Sequence, residues 1–292
     1  MEALQLLVAD VLCNVLPPHH RDLSSLDQSF RDFVVTSPPD DPGVPVVTVR
    51  GHYDGLPARP PRAESLVLDQ GIFFRIHFED GQYLLPLTRN GGTEHFCTAI
   101  FGQDFRELNV HHLPTASDSI VRHSLTHPIH ALLMASVLSQ GYGLSLHACG
   151  VADEGRGYLF PGHSGAGKST MGRLWERHAV VLNDERMVLR ERHGQLWIYG
   201  TPYRGENSQY ANAGVPLDKI FFLHQAPRNG VTALGAADVA TRLLSHTLLP
   251  YWSRSGMQFV TDFSARLAES ASCHLLDFVP DGSVVPFIRC VP

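Results

Sequence analysis

Gly162-His163-Ser164-Gly165-Ala166-Gly167-Lys168-Ser169, followed by Thr170, fits the pattern G-x-x-x-x-G-K-[S/T] at every position. Each position has a chemical reason. Glycines let backbone N–H groups turn inward onto phosphate oxygens, a geometry that side chains would block. The lysine reaches the β- and γ-phosphates, and the hydroxyl after it holds Mg²⁺. The setting also fits. Tyr158-Leu159-Phe160 reads as a strand entering the loop, and Lys168 to Arg177 as a helix leaving it. The positive end of that helix then points at the same anion as the loop amides. Of 23 basic residues only two are lysines, and one of them fills the lysine slot. Gly162, His163, Ser164, Gly165, Ala166, Gly167, Lys168, Ser169 and Thr170 are therefore expected to bind nucleotide phosphates.

Working outward, Val180-Val181-Leu182-Asn183 reads as the next strand, and it ends in Asp184-Glu185-Arg186. Two adjacent carboxylates thus follow Lys168 by 16 and 17 positions, close enough for the strand directly after the loop helix to carry them. Such a pair can divide two tasks, one acid holding Mg²⁺ with Ser169 and the other accepting a proton from an attacking hydroxyl. The sequence leaves open which acid does which. Upstream, Leu144 to Val151 reads as a strand joined by the turn Asp153-Glu154-Gly155 to the strand that feeds the loop. His147 then lies at the phosphate end of the sheet or one strand length from it, depending on register.

Composition bounds the class. Apolar residues are 43% and charged residues 18%, which excludes wholesale disorder and repeat-type fibres. The net charge of −6 argues against a nucleic-acid binder. The five cysteines are scattered with no C-x-x-C pair, so neither a disulfide framework nor a thiolate zinc site is supported. Glu2 and Asp10 sit where a signal peptide needs positive charge, and no apolar run approaches the ~20 residues of a membrane span. The expectation is a cytoplasmic protein without a membrane partner.

The first third is rich in Pro and Gly. Short β-runs occur at Phe33 to Val35, Val46 to Val49, Leu66 to Leu68, Ile72 to Phe78 and Tyr83 to Leu87, with Glu79-Asp80-Gly81 as a hairpin turn. Ser37 to Pro45 and Leu56 to Arg62 read as loops. From Ser117 to Gln140 glycine disappears and the spacing predicts a helix, with Pro128 in its first turns or at a kink. The domain boundary is placed there, giving a β-rich accessory domain over residues 1–115 and a nucleotide-binding domain over 116–292. Met187 to Glu191 with Gln195 to Tyr199, and Cys273 to Val279 with Val284 to Arg289, read as hairpins. Lys219 to His224 reads as a strand and Ala236 to Leu249 as a helix. Hairpins outnumber βαβ units, so the expected class is α/β with a mixed sheet.

Leu146-His147-Ala148, the loop Gly162 to Thr170, and Asn183-Asp184-Glu185-Arg186 resemble, in order and spacing, the His, P-loop and Asp-Asp-Arg segments of the HPr kinase/phosphorylase family. That family shares its nucleotide fold with phosphoenolpyruvate carboxykinase. The resemblance covers residues 119–290. It looks closest to short HPr-kinase-like proteins of peptide-tailoring or other biosynthetic cassettes, which also carry a segment like Gly200-Thr201-Pro202-Tyr203-Arg204-Gly205-Glu206. It implies a kinase that uses ATP and Mg²⁺, with Asp184 as catalytic carboxylate, His147 beside Asp184 or the transferred phosphoryl group, and Ser169 and Glu185 on the metal. Arg204 and Glu206 would belong to the substrate side. The acceptor implied is a serine of a peptide or protein, with a small-molecule hydroxyl as the alternative. Homo-oligomers occur in the family. The chain departs from it in carrying Glu185 for a second aspartate and in lacking a downstream Gly-Arg-Asn-type segment. A nucleotide-gated peptide-binding module is the reading from outside the enzymes.

His123, His127 and His130 share helical spacing, but no nearby acid completes an H-E-x-x-H pattern, so they read as a partly exposed polar face. His19-His20 and His111-His112 are expected in loops, and Arg186, Arg190 and Arg192 on the wet side of a strand. Trp175, Phe221 and Phe222 are expected in the core.

Overall fold

Four two-residue turns in which both residues take positive φ organise much of the chain: Ala9-Asp10, Asp80-Gly81, Glu154-Gly155 and His193-Gly194. Their left-handed backbone matches the twist of the strands they join, so each closes a tight antiparallel hairpin. The computed structural model describes residues 3–16, 28–71, 74–89, 94–113, 125, 127–204 and 209–292. The chain divides into two compact units, Met1–Val137 with Tyr251–Arg254, and Leu138–Pro250 with Ser255–Pro292. The boundary expected at 115/116 lies outside the described residues.

The first unit holds β1 (Leu4–Val8), β2 (Val11–Val15), a short α1 (Gln28–Arg31), β3 (Val46–His52), β4 (Leu66–Asp69), β5 (Arg75–Glu79), β6 (Gln82–Arg89), β7 (Glu94–Gly102), β8 (Glu107–His112) and all but the last residue of α2 (Ile129–Leu138). Its eight strands run in the order β1-β2-β3-β8-β7-β6-β5-β4. The two junctions made by β3 are parallel and the others antiparallel. Alternate residues such as Leu6, Val8, Val47, Val49, Leu108 and Val110 are buried on one face. The β-rich character expected of this region is observed, with corrections. Val34 makes only an isolated bridge to Leu6 rather than a strand. His111 and His112 end β8 instead of lying in a loop, where His111 stacks on His52 and His112 on Tyr53. His130 is buried edge-on to Phe30. It is no part of an exposed face, although His127 is exposed. His19, His20, Ile72 and His123 lie outside the described residues.

The second unit is built from β9 (Leu144–Leu146), β10 (Ala148–Asp153), β11 (Arg156–Pro161), α3 (Lys168–Trp175), β12 (Val180–Asn183), β13 (Met187–Arg192), β14 (Gln195–Tyr199), β15 (Gly214–Gln225), β16 (Gly230–Ala233), α4 (Ala236–His246), all but the first residue of α5 (Arg254–Ser270), β17 (Ser272–Phe278) and α6 (Val284–Arg289). Its nine-stranded sheet is mixed, in the order β12-β10-β11-β15-β14-β13-β9 with β17 also beside β15 and β16 beside β17. β11, β15 and β17 are parallel, while β10 runs antiparallel to both β11 and β12. The strands are apolar at consecutive positions because helices cover both faces. Leu159, Leu182, Ile220 and Phe222 pack with Val239, Leu243, Val260 and Phe263 of α4 and α5. Tyr158, Phe160, Val181 and Phe221 point the other way, onto Met171 and Trp175 of α3 and Val284, Val285 and Ile288 of α6.

Three expectations are corrected here. Val284 to Arg289 is a helix rather than a hairpin strand. Its apolar run fits either period, but Pro286 offers no N–H to a ladder and is tolerated in a first helical turn. Leu144 to Val151 is not one strand: it breaks at His147 into β9, paired with β13, and β10, paired with β11 and β12. Arg190 is not on a wet face; it is 2% exposed, with its Nε donating to the Tyr142 carbonyl and its guanidinium over the Tyr142 ring. Stacking and hydrogen bonding satisfy a guanidinium that burial would otherwise penalise. Trp175, Phe221 and Phe222 are buried as expected. Among the described residues, no helix is long and apolar enough to cross a membrane.

Trp175 fills the layer between α3 and the sheet, in ring contact with Tyr158 at 5.5 Å. Trp175→Ala should cost about 3–5 kcal/mol through lost burial and a residual cavity. The check is a lowered denaturant midpoint for the second unit at a nearly unchanged slope.

Candidate functional site

Register alone brings the sequence-predicted residues to one edge of the sheet. Ala148 of β10 pairs with Pro161 of β11, so His147 lies next to the loop that starts at Gly162. The Gly162 N–H donates to the His147 carbonyl at 3.3 Å. On the other side of β10, Gly150 pairs with Asn183 of β12. The chain then crosses to β13, where Met187 pairs with Leu146. The three residues in between, Asp184, Glu185 and Arg186, are therefore bracketed opposite His147–Cys149. Of the two placements open to His147, the structure adopts the one at the phosphate-loop end. The C-terminal ends of β11, β12, β15 and β17 share this edge, where ligands of open α/β sheets collect.

Within the loop, Gly167 has φ +107° and caps α3. A Cβ at Gly167 would come 2.6 Å from the Phe278 ring, so glycine is required there by both conformation and space. Lys168 is buried, and its Nζ donates to the carbonyls of Gly162 at 3.0 Å and His163 at 3.1 Å. The Gln225 amide, at the end of β15, donates to the Gly165 carbonyl. His163, Ser164 and Gly165 are exposed, and Ala166, Ser169 and Thr170 half-buried.

Glu185 is half-buried, with Oε2 3.4 Å from His147 Nε2. The hydrogen bond to His147 holds its carboxyl below the ordinary range, and the charges of His147, Arg186 and Lys168 act in the same direction against partial burial. It is thus anionic at neutral pH and within the field of Lys168. Asp184 is 1% exposed. Burial and then the nearby Asp184 push the Cys149 thiol up, against the charge of Lys168. His147 Nα–H donates to the His246 carbonyl at the end of α4. The His246 ring lies 4.3 Å from that of His163.

His246 was not singled out in the sequence, where it is one histidine at the end of an amphipathic stretch. Burial, followed by the charges of His163, His147, Lys168 and Arg242, lowers its pKa to about 4. Arg204, by contrast, is exposed, with its guanidinium 5.9 Å from the Tyr210 ring. Glu206 lies outside the described residues.

Ser169, Asp184 and Glu185 are hard oxygen donors, the type that suits Mg²⁺ held jointly with phosphates and water. Among the described residues no three His, Cys, Asp and Glu side chains surround one metal position. A cation at this edge would thus need further oxygens, which phosphates supply. The residues present fit such a group.

A histidine whose folded pKa is depressed costs stability as pH falls, because the unfolded chain takes up the proton first. The second unit should therefore lose stability as pH drops from about 6.5 to about 4, and His246→Gln should lack that part of the loss. Thermal melts of both proteins across this range are the check.

No curated protein matches the chain. A family model described as SynChlorMet cassette protein ScmC matches residues 118–267, which span the helix before β9, the phosphate loop, the acid turn and most of α5. That is 150 of 292 residues, and the chain belongs to the family of SynChlorMet cassette protein ScmC.

Proposed function

We propose that the protein is a Mg²⁺-dependent kinase that transfers the γ-phosphoryl group of ATP to a hydroxyl, a serine of a peptide or protein being the acceptor. The observation that carries this reading is the shared edge: a glycine-rich loop with its lysine and an adjacent acid pair face one another across His147. A nucleotide-phosphate site alone needs only the loop. Two carboxylates at the end of β12, one strand beyond β10, add what transfer requires.

In this reading the amides of Gly165 to Lys168 and the start of α3 bind the phosphates. Lys168 leaves the Gly162 and His163 carbonyls for charged phosphate oxygens, a stronger set of acceptors. Ser169 and Glu185 hold Mg²⁺, which when bound neutralises charge on the phosphate oxygens. Asp184, anchored by the adjoining turn, holds the acceptor hydroxyl in line and takes its proton. His147 fixes Glu185 through the 3.4 Å contact. Catalysis is then positioning and charge neutralisation.

Incubation of the protein with γ-labelled ATP, Mg²⁺ and a library of serine-containing peptides tests the reading. Labelled phosphoserine is the expected product; label on a small-molecule hydroxyl instead would move the acceptor class, and ATP binding with no turnover would overturn the reading. Asp184→Asn should lower kcat by about 10²–10⁴-fold while leaving the Kd for ATP nearly unchanged. Lys168→Ala should weaken ATP binding itself, read by calorimetry.

A further inference from the structure

One amide side chain ties the acid turn to a distant stretch of chain. Asn183 is 0% exposed and uses its whole hydrogen-bonding capacity. Its Oδ1 accepts the N–H groups of Glu185 at 2.7 Å and Arg186 at 2.8 Å, which shapes the turn. Its Nδ2 donates to the carbonyls of Thr201 at 2.9 Å and Tyr203 at 2.7 Å. Thr201 Oγ1 closes the same gap again by donating to the Arg186 carbonyl. Gly200 permits this approach: a Cβ there would lie 2.0 Å from the Ala211 carbonyl oxygen and 2.6 Å from that of Leu182.

The distribution of these bonds matters more than their number. Half serve the acids and half serve the segment beyond them, through one planar group about 2 Å across. Neither side can shift without breaking a buried hydrogen bond. An aspartate would keep the two acceptor contacts and set a negative charge against two carbonyls.

We propose that Asn183 is a positioning residue that locks the Asp184–Glu185 turn and the Thr201–Tyr203 segment into one register, so that the acids meet the acceptor hydroxyl in a fixed geometry. The word acceptor rests on the phosphoryl-transfer reading; the coupling of the two segments does not.

Asn183→Asp and Thr201→Val, each checked for folding by circular dichroism, test it. For Asn183→Asp, kcat/KM for the acceptor should fall about tenfold or more, with the ATP Kd in the absence of acceptor within about twofold of the parent. Thr201→Val, which removes only the second tie, should act on acceptor kcat/KM in the same direction by about two- to fivefold. Parent-like acceptor kinetics in a folded Asn183→Asp protein, or an equal loss of ATP affinity and kcat, would overturn the proposal. Should Asn183→Asp not fold, Thr201→Val decides, and unchanged acceptor kinetics there overturns it. Should the parent transfer no phosphate to any acceptor, the kinase reading fails, and hydrogen exchange still judges the coupling. Peptides covering 183–187 and 200–204 should then exchange together in the parent and both faster in Thr201→Val; independent exchange overturns the coupling.

Discussion

The main-chain ladder of β10 is the constraint on which the site depends. A single antiparallel strand lies between β11 and β12 and sets both in register with itself. Because strand pairing fixes position to within a residue, the exits of β11 and β12 have no freedom to drift apart. The phosphate loop and the acid turn are placed by backbone hydrogen bonds, before any side chain acts. The break at His147 adds to this. By leaving the ladder for one residue, the chain gives its N–H to His246 and its carbonyl to Gly162, and frees its side chain to meet Glu185.

Packing supports the same arrangement from both faces. α3, which opens on Lys168, seats Met171 and Trp175 on one side, and α4 and α5 press Leu243 and Phe263 on the other. A loop held between two filled layers keeps its shape with little reorganisation, the condition under which oriented backbone dipoles act best on a charged group. Met187, the residue that ends the acid turn, fits because Gly150 opposite it has no side chain: a Cβ there would lie 2.2 Å from the methionine methyl group.

What the sequence made legible was local. The glycine loop, the strand before it, the helix after it and the acids that follow are contiguous signals with fixed turn chemistry. The Glu154-Gly155, Asp80-Gly81 and His193-Gly194 hairpins carry their glycines openly. Ala9-Asp10 carries none, so the sequence offers no turn signal between β1 and β2. α6 reads as a strand because the five apolar residues before Arg289 fit two periods, and only Pro286 hints otherwise. Arg190 was misread since its partner, Tyr142, is 48 residues away, and burial of a guanidinium cannot be inferred from alternation. The Asn183 latch was equally hidden: its two carbonyl partners lie 18 and 20 positions downstream. The acids could be found by type, whereas the residue that orients them could not.

The pair formed by Arg289 and Asp153 bears on how this half of the chain matures. Asp153, 1% exposed at the end of β10, is held by a two-pronged guanidinium contact at 2.7 and 2.8 Å from a residue 136 positions later. On a ribosome, the carboxylate is made long before its counter-ion. A buried acid without its cation is costly, so Asp153 takes up its final surroundings together with Arg289 and not before it. The order of synthesis thus runs against the order of assembly. The strand that organises the phosphate end is among the first parts of its sheet to be made and among the last to be secured.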